Sequence, residues 1–403
     1  MSSDENDGNV SKPTKRPLEG LALTKNKRRK AASPDPLIAV GKHFARTMEA
    51  VTLPQVVLME AVKLRVRLNE DPDCVLDSDE TRLYNAFQHL IAYQPSIGED
   101  LFKAYEVSGK RLAAVQEEIG VTLQMGGSRA RSDDMRGIKI QIVEWIKTNP
   151  NIALNPPLLP KQKTGRGFDH PRTGFLLCPA HLNWDDPTVQ EGLKSGEIDA
   201  YEHIPIFMYE DFKYYSKEPW KGLFKSHLLV KAYKHVFTTP SSAEEGFGKD
   251  RATRPGNAQL RGMTAVTPAS LAYIAMLVRF SLSNQQTFNR NDMVTHTEKF
   301  YTNLIDHLGE PDEAEEVESL MLWWNTRVFP AHTKRAGASS GTNTVLAAIK
   351  EARAALKAVT NADPNGQISE GGAGVANATT QQPDGGSAPQ STQSTALPHV
   401  TTA

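Results

Sequence analysis

Cysteine is nearly absent: Cys74 and Cys178 are the only two in 403 residues. Two thiols cannot build a disulfide framework or a cysteine-rich structural zinc site, and they fit a reducing compartment. Excess charge is absent as well. The chain has 46 Lys and Arg against 47 Asp and Glu, a formal net of -1, so no whole-chain attraction to a polyanion or an acidic partner exists and only local patches count. No apolar run reaches the ~18 residues that suggest a membrane span. The N-terminus, Met-Ser-Ser-Asp-Glu-Asn-Asp, is acidic where a secretory leader is basic and then apolar. A soluble intracellular protein without membrane contact is the expectation, and the Asn-x-Ser/Thr matches at Asn9 and Asn377 are then not glycosylated. Walker A, His-Glu-x-x-His, dinucleotide and EF-hand patterns are all missing, and no cofactor is expected.

What is present divides the chain in three. Residues 1–35 hold almost no large apolar side chains and cannot offset their ordering entropy, so they are expected to be disordered. Within them Lys15 and Arg16, a ten-residue spacer, and Lys27, Arg28, Arg29 and Lys30 have the layout of a bipartite nuclear localisation signal. The implied partner is an import receptor, against the plainer reading of a generic basic arm. Residues 36–360 read as a helical globular domain, with sub-domains at 36–148 and 174–330. From 361 to 403 the composition of Gly, Ser, Thr, Gln and Asn is that of a low-complexity disordered tail.

The periodicity of the middle region is helical. Ile38, Val40, Phe44, Met48 and Val51, then Val57, Leu58, Ala61, Leu64 and Leu68, recur at three or four residues. Ser78 or Asp79 can cap a third helix, Gly98 and Gly109 bracket a fourth, and Leu112 to Gly120 continue the pattern. Gly126 to Ser132 reads as a basic loop carrying Arg129 and Arg131, ahead of a helix from Met135 to Lys147; with Arg136 they make a small positive cluster. Residues 149–173, rich in Pro, Asn, Gly and Lys, form a long irregular connection of the kind that is either functional or a linker. Gly174 to Cys178 and Ile204 to Tyr209 could pair as a small hairpin, with Pro205 keeping the second strand at an edge. Trp220 to Phe237 reads as an amphipathic helix with a Lys and His outer face. The most distinctive stretch is Met263 to Leu282. Thr267 and Pro268 start a helix there, and Leu271 to Phe280 has no polar stripe, so protein should surround it on nearly all sides. Two helices follow through Phe300 and Leu304 and through Leu320 and Trp324, and Val345 to Val359 reads as a last one. The expected fold class is mainly α, with at most a small β-hairpin.

Chemistry is sparse by comparison. His170, Cys178, His181 and His203 fall in one segment, and the Cys178 to His181 spacing suits a metal; a single Cys inside an apolar run equally suits a small core residue. Asp185 and Asp186, or the acids from Glu310 to Glu318, could serve magnesium chemistry, but both sets sit at helix starts, where the dipole favours acids without any function. Gly337 to Gly341 matches Gly-x-Ser-x-Gly without the strand that a nucleophile elbow needs. The basic residues are more coherent. Lys225, Lys231 and Lys234 on one helix face, and Arg251, Arg254 and Arg261 in the loop leading to Thr267, form a candidate surface for nucleic acid or a phosphorylated nuclear partner.

Four runs carry a resemblance: Phe175 to Pro187, Trp220 to Phe237, Ala252 to Asn257 and Gly262 to Tyr273. Through them residues 40–330 or so resemble an uncharacterised family, a domain of unknown function, of mushroom-forming fungi. The resemblance implies a fungal source and no activity. The expected function is a nuclear binding or adaptor protein without catalysis; the alternative is a metal-dependent nuclease or transposase-like enzyme.

Overall fold

Proline opens half of the described helices, because its missing N–H and fixed φ suit the first helical position. The computed structural model describes residues 35–200, 203–239, 255–288 and 296–332. In chain order the helices are α1 (Pro36–Thr47), α2 (Pro54–Glu70), α3 (Ser78–Tyr93), α4 (Pro95–Val107), α5 (Gly109–Trp145), α6 (Pro171–Leu177), α7 (Pro187–Ser195), α8 (His227–Tyr233), α9 (Asn257–Leu260), α10 (Pro268–Leu282), α11 (Thr297–Gly309) and α12 (Ala314–Val328). The fold is mainly α, and no strand occurs among the described residues. The import cluster, Arg251, Arg254, the Gly-x-Ser-x-Gly match, the helix read at Val345 to Val359 and the tail lie outside the described residues.

Two hydrophobic cores meet on α5. The first joins α1 to α4 with the N-terminal part of α5 through Phe44, Leu58, Phe87, Leu90, Leu101 and Leu123. The second gathers the C-terminal part of α5, through Ile138, Ile142 and Trp145, with α6, α8 and α10 to α12. At its centre α10 is buried from Ser270 through Arg279, as its all-round apolar pattern requires. A capping box starts it: Thr267 Oγ1 accepts from Ser270 N at 3.1 Å, and Ser270 Oγ accepts from Thr267 N at 3.0 Å. Trp324 of α12 is fully buried and donates its indole N–H to Phe224 O at 3.1 Å.

Several local expectations are corrected. Gly126 to Ser132 is no loop but the middle of the 37-residue α5. The glycines are there because α1 crosses at backbone contact: a Cβ on Gly126 would lie 2.2 Å from Ile38 O, and one on Gly41 would lie 2.2 Å from Leu123 O. Close helix approach offsets the roughly 1 kcal/mol each glycine costs a helix. The hairpin is absent. Gly174 to Leu177 ends α6, which His170 caps by accepting from Arg172 N at 3.0 Å, and Ile206–Met208 is a 3₁₀ turn; a short apolar run alone cannot separate strand from buried helix. An isolated bridge, Pro179 with Pro205, lies between the two segments, and another joins Tyr209 to Leu223. The helix expected from Trp220 starts at His227, since Gly222 and Phe224 have positive φ and Ser226 is the cap. It ends in a π-helical turn, Lys234–Thr238. The cap of α3 is Asp77, in a box with Glu80, one residue before the expected Ser78.

A candidate anion-binding cleft

The segment between α5 and α6 is tied down by one side chain. Arg166 is 1% exposed and donates to Ser281 O at 2.7 Å, Lys139 O at 3.0 Å, and Leu159 O and Pro160 O at 3.2 Å each. It thereby clamps the segment onto both α5 and the end of α10. Gly165 and Gly167 flank it with positive φ, where other residues would be strained. Burial pulls its pKa down to about 10, so it stays charged at neutral pH.

Clamping Arg166 also buries Lys163, at 2% exposure. Its Nζ lies 3.2 Å from the centroid of the Phe280 ring and 3.4 Å from Ser283 Oγ. Burial first, then the charges of Arg166 and Lys139, push its pKa down to about 7.

Lys163 lines a cleft of about 600 Å³ between α5 and the C-terminal end of α10. Arg131, Arg136 and Lys139 line it from α5, and Phe280 and Phe288 stand opposite; among the described residues no carboxylate lines it. The rings of Phe280 and Phe288 meet edge to face at 5.5 Å, and Arg131 lies 5.2 Å from the Phe288 centroid. Arg136 is exposed and pairs with the exposed Asp133 at 3.1 Å. An exposed pair of this kind is worth little and is readily exchanged for another anion.

The other sequence candidates lie elsewhere. Lys225, Lys231, Lys234 and Arg261 are half-buried, and Lys225 sits 6.0 Å from the ring of Trp323. Arg261 precedes the N-terminus of α10 and faces His43, whose pKa falls to about 4 through burial, then Arg261 and Arg46. The cleft is at the far end of α10, about 22 Å along a 15-residue helix. The N–H groups of Thr267 and Ser270 are taken up by the capping box.

Of the four metal-type residues only His181 and His203 meet, with ring centroids 4.8 Å apart. His170 is committed to its cap and, through Nε2, to Pro156 O at 2.7 Å. Cys178 is buried beside Leu193 and Ala200, and burial raises its pKa to about 11. No group of three or more His, Cys, Asp and Glu residues among the described ones is placed to hold a metal ion. Asp186 caps α7 by accepting from Thr188 N at 2.9 Å, and Glu315 and Glu316 occupy the first turn of α12.

The sequence missed Lys163 and Lys139. The signal for Lys163 was the length and composition of the 149–173 connection; Lys139 lay inside the helix read from Met135 to Lys147. Arg131 is read from the sequence as a loop residue and Arg136 as part of the helix that follows.

Fold and site define a class: a two-core helical protein with a basic cleft on the long helix that both cores share. Residues 125–329 match a family of unknown function (DUF6698), and the chain belongs to that family. The match begins within α5 and takes in the second core from Ile138 on, together with the basic cleft residues and the two phenylalanines. No curated protein and no solved structure matches the chain. No described helix is long and apolar enough to cross a membrane.

Proposed function

We propose that this is a non-catalytic nuclear binding protein of fungal origin that contacts nucleic-acid phosphates through the basic face of α5 and the cleft beside it. One observation carries the reading: Arg136, Lys139 and Lys163, with Arg131 beside them, converge on a cleft that no carboxylate lines among the described residues. Exposed Arg129 lies on the same helix, one turn before Asp133. Phosphate backbones require such cations, and each neutralised phosphate adds to the salt dependence of binding. The bipartite basic cluster at Lys15, Arg16 and Lys27 to Lys30 supports the nuclear part.

Filter binding to DNA should show a complex at low salt that weakens steeply as salt rises. Changing Arg129, Arg136 and Lys139 together to Ala should lower the slope of log K against log salt by about 1 for each lost contact. A Lys231→Ala, Arg261→Ala variant serves as the comparison, because its charges lie on other elements. No complex at low salt, or a triple variant that binds as the parent does, would refute the reading.

For the import cluster, replacing Lys27 to Lys30 by Ala should move a fluorescent fusion out of the nucleus. An unchanged nuclear signal rules out this role.

A further inference from the structure

A buried ammonium with no counter-charge costs stability, and Lys163 is such a group. It has three donors to satisfy. Its hydrogen bond to Ser283 Oγ is long at 3.4 Å, and no carboxylate pairs with it among the described residues. Among the described residues, the charges that act on it have its own sign: Arg166 from its own segment and Lys139 from α5, and Arg136 lines the same wall. From α10 it meets only the Phe280 ring and the Ser283 hydroxyl. The arrangement is unfavourable when empty and becomes favourable once an anion enters.

The size and chemistry of the cleft narrow the ligand. About 600 Å³ holds one nucleotide-sized group, not a duplex. Several like charges around one buried cation suit a dianion better than a backbone diester. The rest of the described lining is neutral, with the hydroxyls of Ser128, Ser132 and Thr287, the amides of Gln124 and Gln286, and two phenyl rings.

We infer that the cleft is a phosphate-monoester site in which Lys163 is the buried charge contact for the dianionic phosphoryl group. The monoester comes from a strand's 5′ end or from a free nucleotide. The strand-end form rests on the nucleic-acid reading above; the free form does not. Binding has a thermodynamic signature. An anion beside Lys163 favours its charged form, so binding takes up a proton wherever the empty site holds the neutral amine. That is the range above its folded pKa of about 7. The phosphate is already dianionic there, so affinity should fall as pH rises, by up to roughly tenfold per unit.

The test uses the full chain and two fluorescent single strands differing only in a 5′-phosphate or a 5′-hydroxyl. Competition is measured with inorganic phosphate and a nucleoside 5′-monophosphate, at pH 7.5 and 9. The phosphorylated strand should bind at least tenfold more tightly at pH 7.5, and most of that advantage should be gone at pH 9. Lys163→Met should bind both strands alike. Lys139→Met, at a half-buried position, should reduce the advantage in the same direction and keeps the test independent of refolding around Lys163. Calorimetric binding of the nucleoside monophosphate with no binding of either strand would uphold the free-nucleotide form while refuting the nucleic-acid reading. Equal binding of the two strands with no competition by either phosphate would overturn the site and leave the nucleic-acid reading standing. An advantage that survives Lys163→Met would overturn it too.

Discussion

Asp134→Ala should destabilise the protein by about 3–5 kcal/mol, the range for removing one partner of a buried ion pair. Arg46 and Asp134 are each 7% exposed and bond through two contacts of 2.7 Å, from Nε to Oδ2 and from Nη2 to Oδ1. Tyr273, buried at the centre of α10, donates its hydroxyl to the same Oδ2 at 2.8 Å. The triad therefore ties α1, α5 and α10 together between the two cores. Without the carboxylate, the guanidinium stays buried and uncompensated, and the phenol, whose pKa burial already holds well above the usual tyrosine value, loses its acceptor. Urea denaturation should show a lower midpoint with little change in slope. A double variant, Arg46→Met with Asp134→Leu, should recover much of the loss, since a well-packed apolar pair can replace a buried ion pair. A loss under about 1 kcal/mol in the single variant would show that the triad contributes little net stability.

Gly126→Ala is the second large effect, and its cause is purely steric. The added methyl would lie 2.2 Å from Ile38 O and 2.9 Å from Lys42 N, both backbone atoms of α1 that cannot rotate away. The helices must separate, which costs about 3 kcal/mol or more, at the top of the range for overpacking. Gly109→Ala in the same helix is the control. Nothing lies within 4 Å of its added methyl, so the change should be neutral or stabilising by up to about 1 kcal/mol. Thermal unfolding of the two variants measures the contrast. Similar melting temperatures would mean that α1 and α5 do not cross at backbone contact. Gly126 lies little more than one turn before Arg131, so a displaced α1 should also disturb the cleft.

Much of the architecture was legible because helix starts are local. Asp186 before Pro187 and Thr267 before Pro268 act through hydrogen bonds to residues two or three positions on, and that information lies within one turn. The surrounded α10 was legible for a similar reason: a stretch with no polar stripe can only be stable when covered on all sides. The readings that failed were those where a residue's meaning depended on a distant partner. Gly126 and Gly127 beside Arg129 and Arg131 have the composition of a loop, and nothing nearby in the sequence says otherwise. The deciding partners, Ile38, Gly41 and Ala45, belong to another helix.

The candidate site divides in the same way. The sequence by itself determined that basic residues cluster near position 130, that a long irregular connection follows α5, and that α10 is a core helix; the connection gives way to α6 at Pro171, two residues before the expected end. Only the tertiary structure decided that the three converge. Arg166 clamps the connection against Lys139 and Ser281, which places Lys163 under Phe280 and opposite the arginines of α5. The physical reason is that local hydrogen bonds and hydrophobic periodicity specify helices within a few residues. Lys163 is buried against Phe280 and Ser283, 117 and 120 positions away, which only packing brings near.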